Sequence, residues 1–348
     1  MKSKKNHNLS LDKFIDFSLY DKKFGYYMKK DPFSREGDFI TAPNISRLFS
    51  EMIAIWVISF WHSLGSPKKF NLVELGAGNG EMMKVLIESF ENFPNFLASC
   101  NLIIHEKSPT LIKVQKKKLI NKKVVWISKI NKIKKNPSIF IANEFFDAIA
   151  IRQFKKKGTF WFEKFVNFET RDKASFHEKK IDIKKVEKKL NFEISNNQNF
   201  IEYSELGLSY LKDISKVIRK NDGGLLIIDY GYTKKKMNNT LQGVSNHKFA
   251  NILENIGNVD ITHKINFDLF KKFTKKVCRL RNNLTTQKEF LLKMGIEQRA
   301  EVISKNQNFS KKADIYFRLQ RLIDDKQMGN LFKVMFIKNQ KNKFKLGF

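Results

Sequence analysis

The sequence holds only two cysteines in 348 residues, Cys100 and Cys278, far apart and without CxxC spacing. That excludes a disulfide scaffold and argues against a zinc site. Long hydrophobic runs are missing too. The longest, MIAIWVISFW at 52–61, falls well short of the ~20 residues that cross a bilayer. The basic opening MKSKKNHNLSLDKF is not followed by an apolar stretch of signal-peptide length. These absences predict a soluble protein of a reducing compartment, with the cytoplasm as the expected location and no membrane insertion. Arginine is scarce, supplying 10 of the 66 basic residues. The formal charge of +31 invites a nucleic-acid reading. However, the lysines are spread along the whole chain, whereas a dedicated nucleic-acid module clusters Arg with aromatics. Lys, Asn, Ile and Phe, all abundant here, have A/T-rich codons, so a biased genome produces this composition without a polyanionic partner. No specific nucleic-acid partner is expected. None of the six histidines has metal or triad spacing, and no metal is expected.

What the chain does have is a core and an alternating pattern. Hydrophobic residues make up 42%, enough for one large domain with insertions or for two domains. Residues 44–64 carry apolar side chains at helical spacing and run into Gly65 and Pro67, which predicts a helix ending there. Short apolar runs follow at 70–80, 101–109, 123–128, 138–149, 223–232 and 331–338. Helical or polar segments separate them, the pattern of an α/β fold with a mostly parallel, buried sheet. Between the fourth and fifth runs, alternation in TFWFEKFVNF and NFEISNNQNFIEYSEL suggests an antiparallel excursion. A second excursion, 233–330, is mostly polar, with a helical pattern at 285–303. The Lys-rich runs QKKKLINKK and KKIDIKKVEKK read as solvated faces.

ELGAGNG places Gly76, Gly78 and Gly80 after an apolar strand and before a helix. Glycines in such a turn permit positive φ and close approach of a nucleotide-type ligand. A dinucleotide fingerprint, GxGxxG, would need glycine at 81, and that residue is Glu81. The spacing instead is ExGxGxG from Glu74 to Gly80. It resembles the first motif of class I S-adenosylmethionine (SAM) methyltransferases. Glu106, at the end of the second strand, has the position of a carboxylate that accepts from ribose hydroxyls. The alternative is a tight strand–helix turn that is glycine-rich for its own sake.

Longer stretches narrow the resemblance. GYYMKKDPFSREGDFITAPNIS (25–46), ANEFFDAIAIRQF (142–154) and LIIDYGY (226–232) resemble the signature segments of the MidA family of SAM-dependent methyltransferases. The likeness continues in LQG (241–243), DITHKINF (260–267), TQKEFLLKMGIEQRA (286–300) and MGNLFKVMFI (328–337), and so covers roughly 12–338. Departures fall at Asn44, Val244 and Lys288, where the family usually has other residues. The resemblance implies a class I SAM methyltransferase fold, Rossmann-like, with an N-terminal helical extension and insertions. Residues 1–66 would be the extension, its GDFITAP segment lining the cleft. Residues 67–348 would be the SAM-methyltransferase domain, with insertions at about 155–205 and 233–330. It further implies SAM as cofactor, held by Glu74, Gly76, Gly78, Gly80, Glu106 and Thr41. The implied activity is methylation of arginine on a protein, such as a subunit of respiratory complex I. A homodimer is left open.

The fourth strand delivers NEFFDA, an amide and two carboxylates, at its end. Buried carboxylates are costly unless paired. Asn143, Glu144 and Asp147 are therefore the candidate acceptor-side residues, with Asp38 of GDFITAP a further one. Carboxylates can grip a guanidinium by charge-assisted hydrogen bonds and leave one nitrogen directed at the methyl. The structural alternatives are that Glu144 or Asp147 caps the next helix or pairs with a lysine, and that Asp38 bonds its own turn. Tyr26, Tyr27 and Asp229 are weaker candidates. Two rival functions remain: a methyltransferase acting on RNA or a small molecule, and a non-catalytic SAM-binding assembly factor.

Overall fold

The computed structural model describes residues 7–29, 41–170, 173–245 and 248–348. It folds as two compact units. One comprises 7–29, Phe146–Lys212 and Tyr232–Arg279; the other comprises 41–145, Asp213–Gly231 and Leu280–Phe348.

The second unit is built on seven strands: β1 (Phe70–Leu75), β2 (Cys100–His105), β3 (Val124–Ile127), β4 (Ser138–Asn143), β5 (Gly223–Tyr232), β6 (Arg281–Thr286) and β7 (Phe332–Lys338). Their order across the sheet is β6-β7-β5-β4-β1-β2-β3. β1 to β5 pair in parallel, while β7 runs antiparallel to both β5 and β6. The five parallel strands and β7 come from the six apolar runs. β6, RNNLTT, was not expected. It is polar, half-exposed and at the sheet edge, so it has no buried face to show as alternation.

Helices α1 (Arg47–Ser63), α2 (Glu81–Phe90) and α3 (Pro109–Lys118) belong to this unit. One apolar cluster joins Trp56, Phe60, Leu86 and Phe90 of α1 and α2 to Leu72, Ile104, Ile141, Ile228 and Phe336 of the sheet. The helix expected over 44–64 is divided. Ala42–Ile45 forms a short turn of helix, Ser46 is extended, and α1 starts at Arg47 with the Ser46 hydroxyl accepting from Leu48 N–H. A capping serine outweighs apolar periodicity at that point. Gly65 (φ 83) closes the C-terminal end in the left-handed conformation glycine favours. The helix expected over 285–303 is likewise two, Gln287–Lys293 and Ile296–Ser304, parted at Gly295 (φ 82).

The first unit holds the antiparallel excursion. Arg152–Lys157, Phe160–Thr170, Lys173–Ile181 and Phe200–Tyr203 pair antiparallel, and His7–Ser10 joins Phe160–Thr170. Arg152 bonds Glu163 through two nitrogens (2.8 and 2.9 Å) and Glu205 through a third (3.0 Å). A small sheet of Gln242–Ser245, Lys248–Ala250 and Asp260–Thr262 lies in the second excursion, whose polar sequence concealed these strands.

Candidate functional site

The chain runs from β1 outward to β2 and β3, then returns to β4 on the other side of β1. The sheet therefore reverses direction between β1 and β4. Open α/β sheets bind ligands at such a switch point, beyond the carboxyl ends of the strands. The glycine loop follows β1 and Glu144 follows β4, so both stand at this edge.

Register explains why polar residues collect there. Glu74 of β1 pairs with Ile141 of β4 and with Ile104 of β2. Paired residues share a face, and so do residues two apart on one strand. Glu74, Asn143 and Glu106 thus continue a face that is apolar along Leu72, Ile104 and Ile141. On that face the ladder turns from hydrocarbon to carboxylate and amide over its end, first at Glu74 and then at Asn143 and Glu106. All three side chains are buried, at 2, 8 and 7% exposure.

Two of them carry oxygens without a hydrogen-bond partner among the described residues: Glu74 Oε2 and Asn143 Oδ1. Buried polar atoms are seldom left so without a ligand or water to satisfy them. Burial, and then the charge of Glu106, push the Glu74 carboxyl up to about 8. Glu106 is also raised by burial, against the pull of hydrogen bonds from Ser108 N–H (2.9 Å), Gln115 Nε2 (3.1 Å) and Lys107 N–H (2.8 Å). Two of those bonds fall on Oε1. Among the described residues Oε2 takes only that from Gln115, which leaves it acceptor capacity for a hydroxyl.

Gly76, Gly78 and Gly80 have φ of 63, 52 and 80°. A Cβ on Gly76 would lie 2.8 Å from Cδ2 of Phe145, closer than van der Waals contact allows. Gly80 opens α2. Gln115, buried on α3, ties the loop to the carboxylate. Its Nε2 donates to Gly78 O (2.8 Å) as well as to Glu106, and its Oε1 accepts from Trp126 Nε1 (2.8 Å). Asn79 donates to Asn44 Oδ1 (3.2 Å), and Asn44 donates to Thr41 Oγ1 (3.1 Å). Thr41 is thereby linked to the glycine loop through Asn44, one of the positions where the sequence departs from the family it resembles.

Glu144 has φ 48°, a left-handed backbone that a non-glycine residue adopts at a cost. Its Oε1 accepts from Ala42 N–H (3.2 Å) and from Asn143 Nδ2 (3.3 Å). It caps the Ala42–Ile45 turn rather than a helix that follows it. Asp147 belongs to the first unit. Its Oδ2 accepts from Thr262 Oγ1 (3.3 Å) and its main-chain oxygen from His263 N–H (3.2 Å). Burial raises its carboxyl above the ordinary range, against the attraction of His263. Tyr26 and Tyr27 are buried in the same unit, Tyr27 stacked on Tyr20 with ring centroids 5.5 Å apart. Asp229 is buried, its Oδ1 accepting from Tyr230 N–H. Asp38 lies outside the described residues, as does the start of GDFITAP. Among the described residues, no group of three or more His, Cys, Asp or Glu is placed to hold a metal, and no helix is long and apolar enough to cross a membrane.

Sequence reasoning passed over Gln115, Asn79, Phe145 and Trp126. Gln115 stands at the head of a lysine run read as a solvated face. Lys116 and Lys117 are exposed, but Gln115 is fully buried. Its signal was its place four residues from both Leu111 and Leu119, on the apolar side of the helix.

A loop of three left-handed glycines, one carboxylate with spare acceptor capacity and two unsatisfied buried oxygens suit a nucleoside cofactor with hydroxyl and amino groups. Residues 52–285 match the model of a family described as S-adenosyl-L-methionine-dependent methyltransferases. The chain belongs to that family. It is a SAM-dependent methyltransferase. It is 29% identical to the mitochondrial protein arginine methyltransferase NDUFAF7 of Xenopus tropicalis, over 89% of this chain and 77% of that protein. With the human protein of the same name it shares 28%, over 88% and 75%. A Burkholderia thailandensis protein crystallised with S-adenosyl-homocysteine shares the fold, with a TM-score of 0.79 over 98% of this chain and 90% of that one, at 19% identity. The expected class I fold and SAM cofactor are borne out.

Proposed function

We propose that this methyltransferase acts on arginine side chains of a protein, and that Glu144 is the residue that holds the acceptor. The observation that carries the reading is the pose of Glu144: a carboxylate on a left-handed backbone at the switch-point edge, its Oε1 anchored by Ala42 N–H. Backbone strain of this kind costs of order 1–3 kcal/mol and collects at functional sites. The names of the relatives, protein arginine methyltransferases matched over most of this chain, support the same acceptor. A subunit of respiratory complex I is the acceptor class favoured here, as the family resemblance implies.

The cofactor supplies a methyl group activated on a sulfonium. The chain's own residues bind and orient. Glu74, Glu106 and the glycine loop hold the nucleoside and amino-acid portions. Glu144 grips a guanidinium N–H through a charge-assisted hydrogen bond and sets a second nitrogen in line. Its negative charge draws the guanidinium's positive charge toward the nitrogen it binds, which leaves the second nitrogen's lone pair freer to accept the methyl; the proton which that nitrogen then releases passes to solvent. Mass spectrometry of the parent organism's proteome, with and without the gene, tests the acceptor. The reading expects a methylated arginine on a protein that disappears with the gene. Loss of a methyl mark only from RNA or from a small molecule would replace it.

A further inference from the structure

The first unit contains a cavity of about 370 Å³ whose lining includes none of the site residues assigned above. Its size falls within the range of ordinary ligand sites, roughly 300–1,000 Å³. Four lysines line it: Lys235, Lys236, Lys272 and Lys276. Lys272 is paired with Asp268 at 2.6 Å, and the other carboxylate of the lining, Glu193, faces Lys184 at 3.7 Å. Among the described residues, no carboxylate lies within ion-pair distance of Lys235, Lys236 or Lys276. Like charges brought together around one hollow repel, and an anion there relieves them.

The lysines are held in place. Gln198 clasps their loop, donating to Lys235 O (2.9 Å) and accepting from Met237 N–H (2.9 Å). Asn266 donates to Lys234 O (3.3 Å) while its Oδ1 caps the helix Phe267–Lys276 at Leu269 N–H (2.9 Å). Lys272 and Lys276 stand one turn apart on that helix, on one face. The floor is apolar, made by Phe192, Ile194, Met237 and Leu269, all buried.

We infer that this cavity binds an acidic polypeptide segment, carboxylates at the lysine rim and side-chain methylenes on the floor. Three features select that occupant. The charged lining is cationic on balance, four lysines against Asp268 and Glu193, and its cations are point charges without the planar fork that arginine offers to phosphate. The apolar floor has nothing to give a bare inorganic anion. No exposed aromatic ring lines the cavity, so nothing there stacks a base, as single-stranded nucleic acids require. The assignment does not depend on which residue is methylated.

The test is fluorescence anisotropy of the full chain with a labelled alternating Glu-Ala octapeptide. Three proteins are compared at fixed salt: the natural chain, the triple variant Lys235→Glu, Lys236→Glu, Lys276→Glu, and a charge-matched control with Lys305→Glu, Lys311→Glu, Lys326→Glu, all exposed and elsewhere. The cavity variant is expected to bind about tenfold more weakly or worse, and the control within about threefold of the natural chain, since distant surface charges are largely screened. Equal weakening in both variants would reduce the effect to net charge and overturn the assignment. So would stronger competition by pyrophosphate or by an oligonucleotide of matched charge. If the triple variant lacks a cooperative melt, the pair Lys235→Gln and Lys276→Gln is read instead, with weakening expected and unchanged affinity contradicting the site.

Discussion

Glu74 is the site carboxylate that burial shifts furthest. Its carboxyl is pushed up to about 8 from an ordinary 4.5. A group with a raised folded-state pKa keeps its proton in the native protein while the unfolded chain has lost it. The native state then binds more protons, and stability falls as pH rises between about 4.5 and about 8. Other groups contribute to the pH profile, so the comparison is with Glu74→Gln, which mimics the protonated acid. Across that window the cofactor-free natural chain should lose thermal stability relative to the variant. A constant difference between the two melts over the window would mean that Glu74 is ionised in the folded protein. The orphaned Glu74 Oε2 and Asn143 Oδ1 were not visible before the fold, because a sequence shows that a carboxylate follows a strand but not which of its oxygens goes unsatisfied.

The elements that make the site are a loop, two strand ends and one helix face, and each can be tested as a unit. Gly76→Ala puts a Cβ against Phe145 at a positive φ, whereas Gly158→Ala has a similar φ (58°) and open space. Both should lose about 1 kcal/mol for the left-handed backbone, and Gly76→Ala measurably more for the clash, read from denaturant midpoints. Equal losses would mean that Phe145 moves freely aside. Gln115→Ala removes the bonds to Gly78, Glu106 and Trp126 together. It should cost about 1–3 kcal/mol, as unsatisfied buried groups do, and weaken SAM binding measured by calorimetry. Full SAM affinity in that variant would show the loop to be self-supporting. These contrasts also explain what was legible in advance. The parallel strands, the glycine loop and Glu106 carry strong local signals, namely apolar runs, glycine spacing and a carboxylate at a strand end. β6 and the strands near 242–262 are polar and marginal, so tertiary pairing alone makes them strands. Ser46 divided a helix that periodicity had drawn whole. Gln115 was hidden because its three lysine neighbours dominated the reading of the run.

At the scale of the whole molecule, a charge of +31 must act on something. Dispersed lysines give weak, non-specific attraction to polyanions. RNA binding by the natural chain should therefore fall steeply between about 50 and about 200 mM salt, as counterion release demands, and show no sequence preference. A sequence-selective complex that survives that range would promote RNA as the acceptor. The division of the chain into two units was not apparent from composition, because no Pro- or Gly-rich linker marks it and each unit is assembled from three separate stretches. The central claim is that the chain binds SAM at the β1–β4 edge and uses Glu144 on the acceptor. One paired measurement on Glu144→Gln tests it most directly: SAM affinity by calorimetry beside methyl transfer to the acceptor protein. The variant keeps hydrogen-bonding capacity and loses the charge. A charge-assisted bond contributes roughly 1.5–3 kcal/mol, so transfer should fall by about tenfold or more while SAM affinity stays unchanged. Undiminished transfer, or SAM affinity lost in step with transfer, would contradict the account.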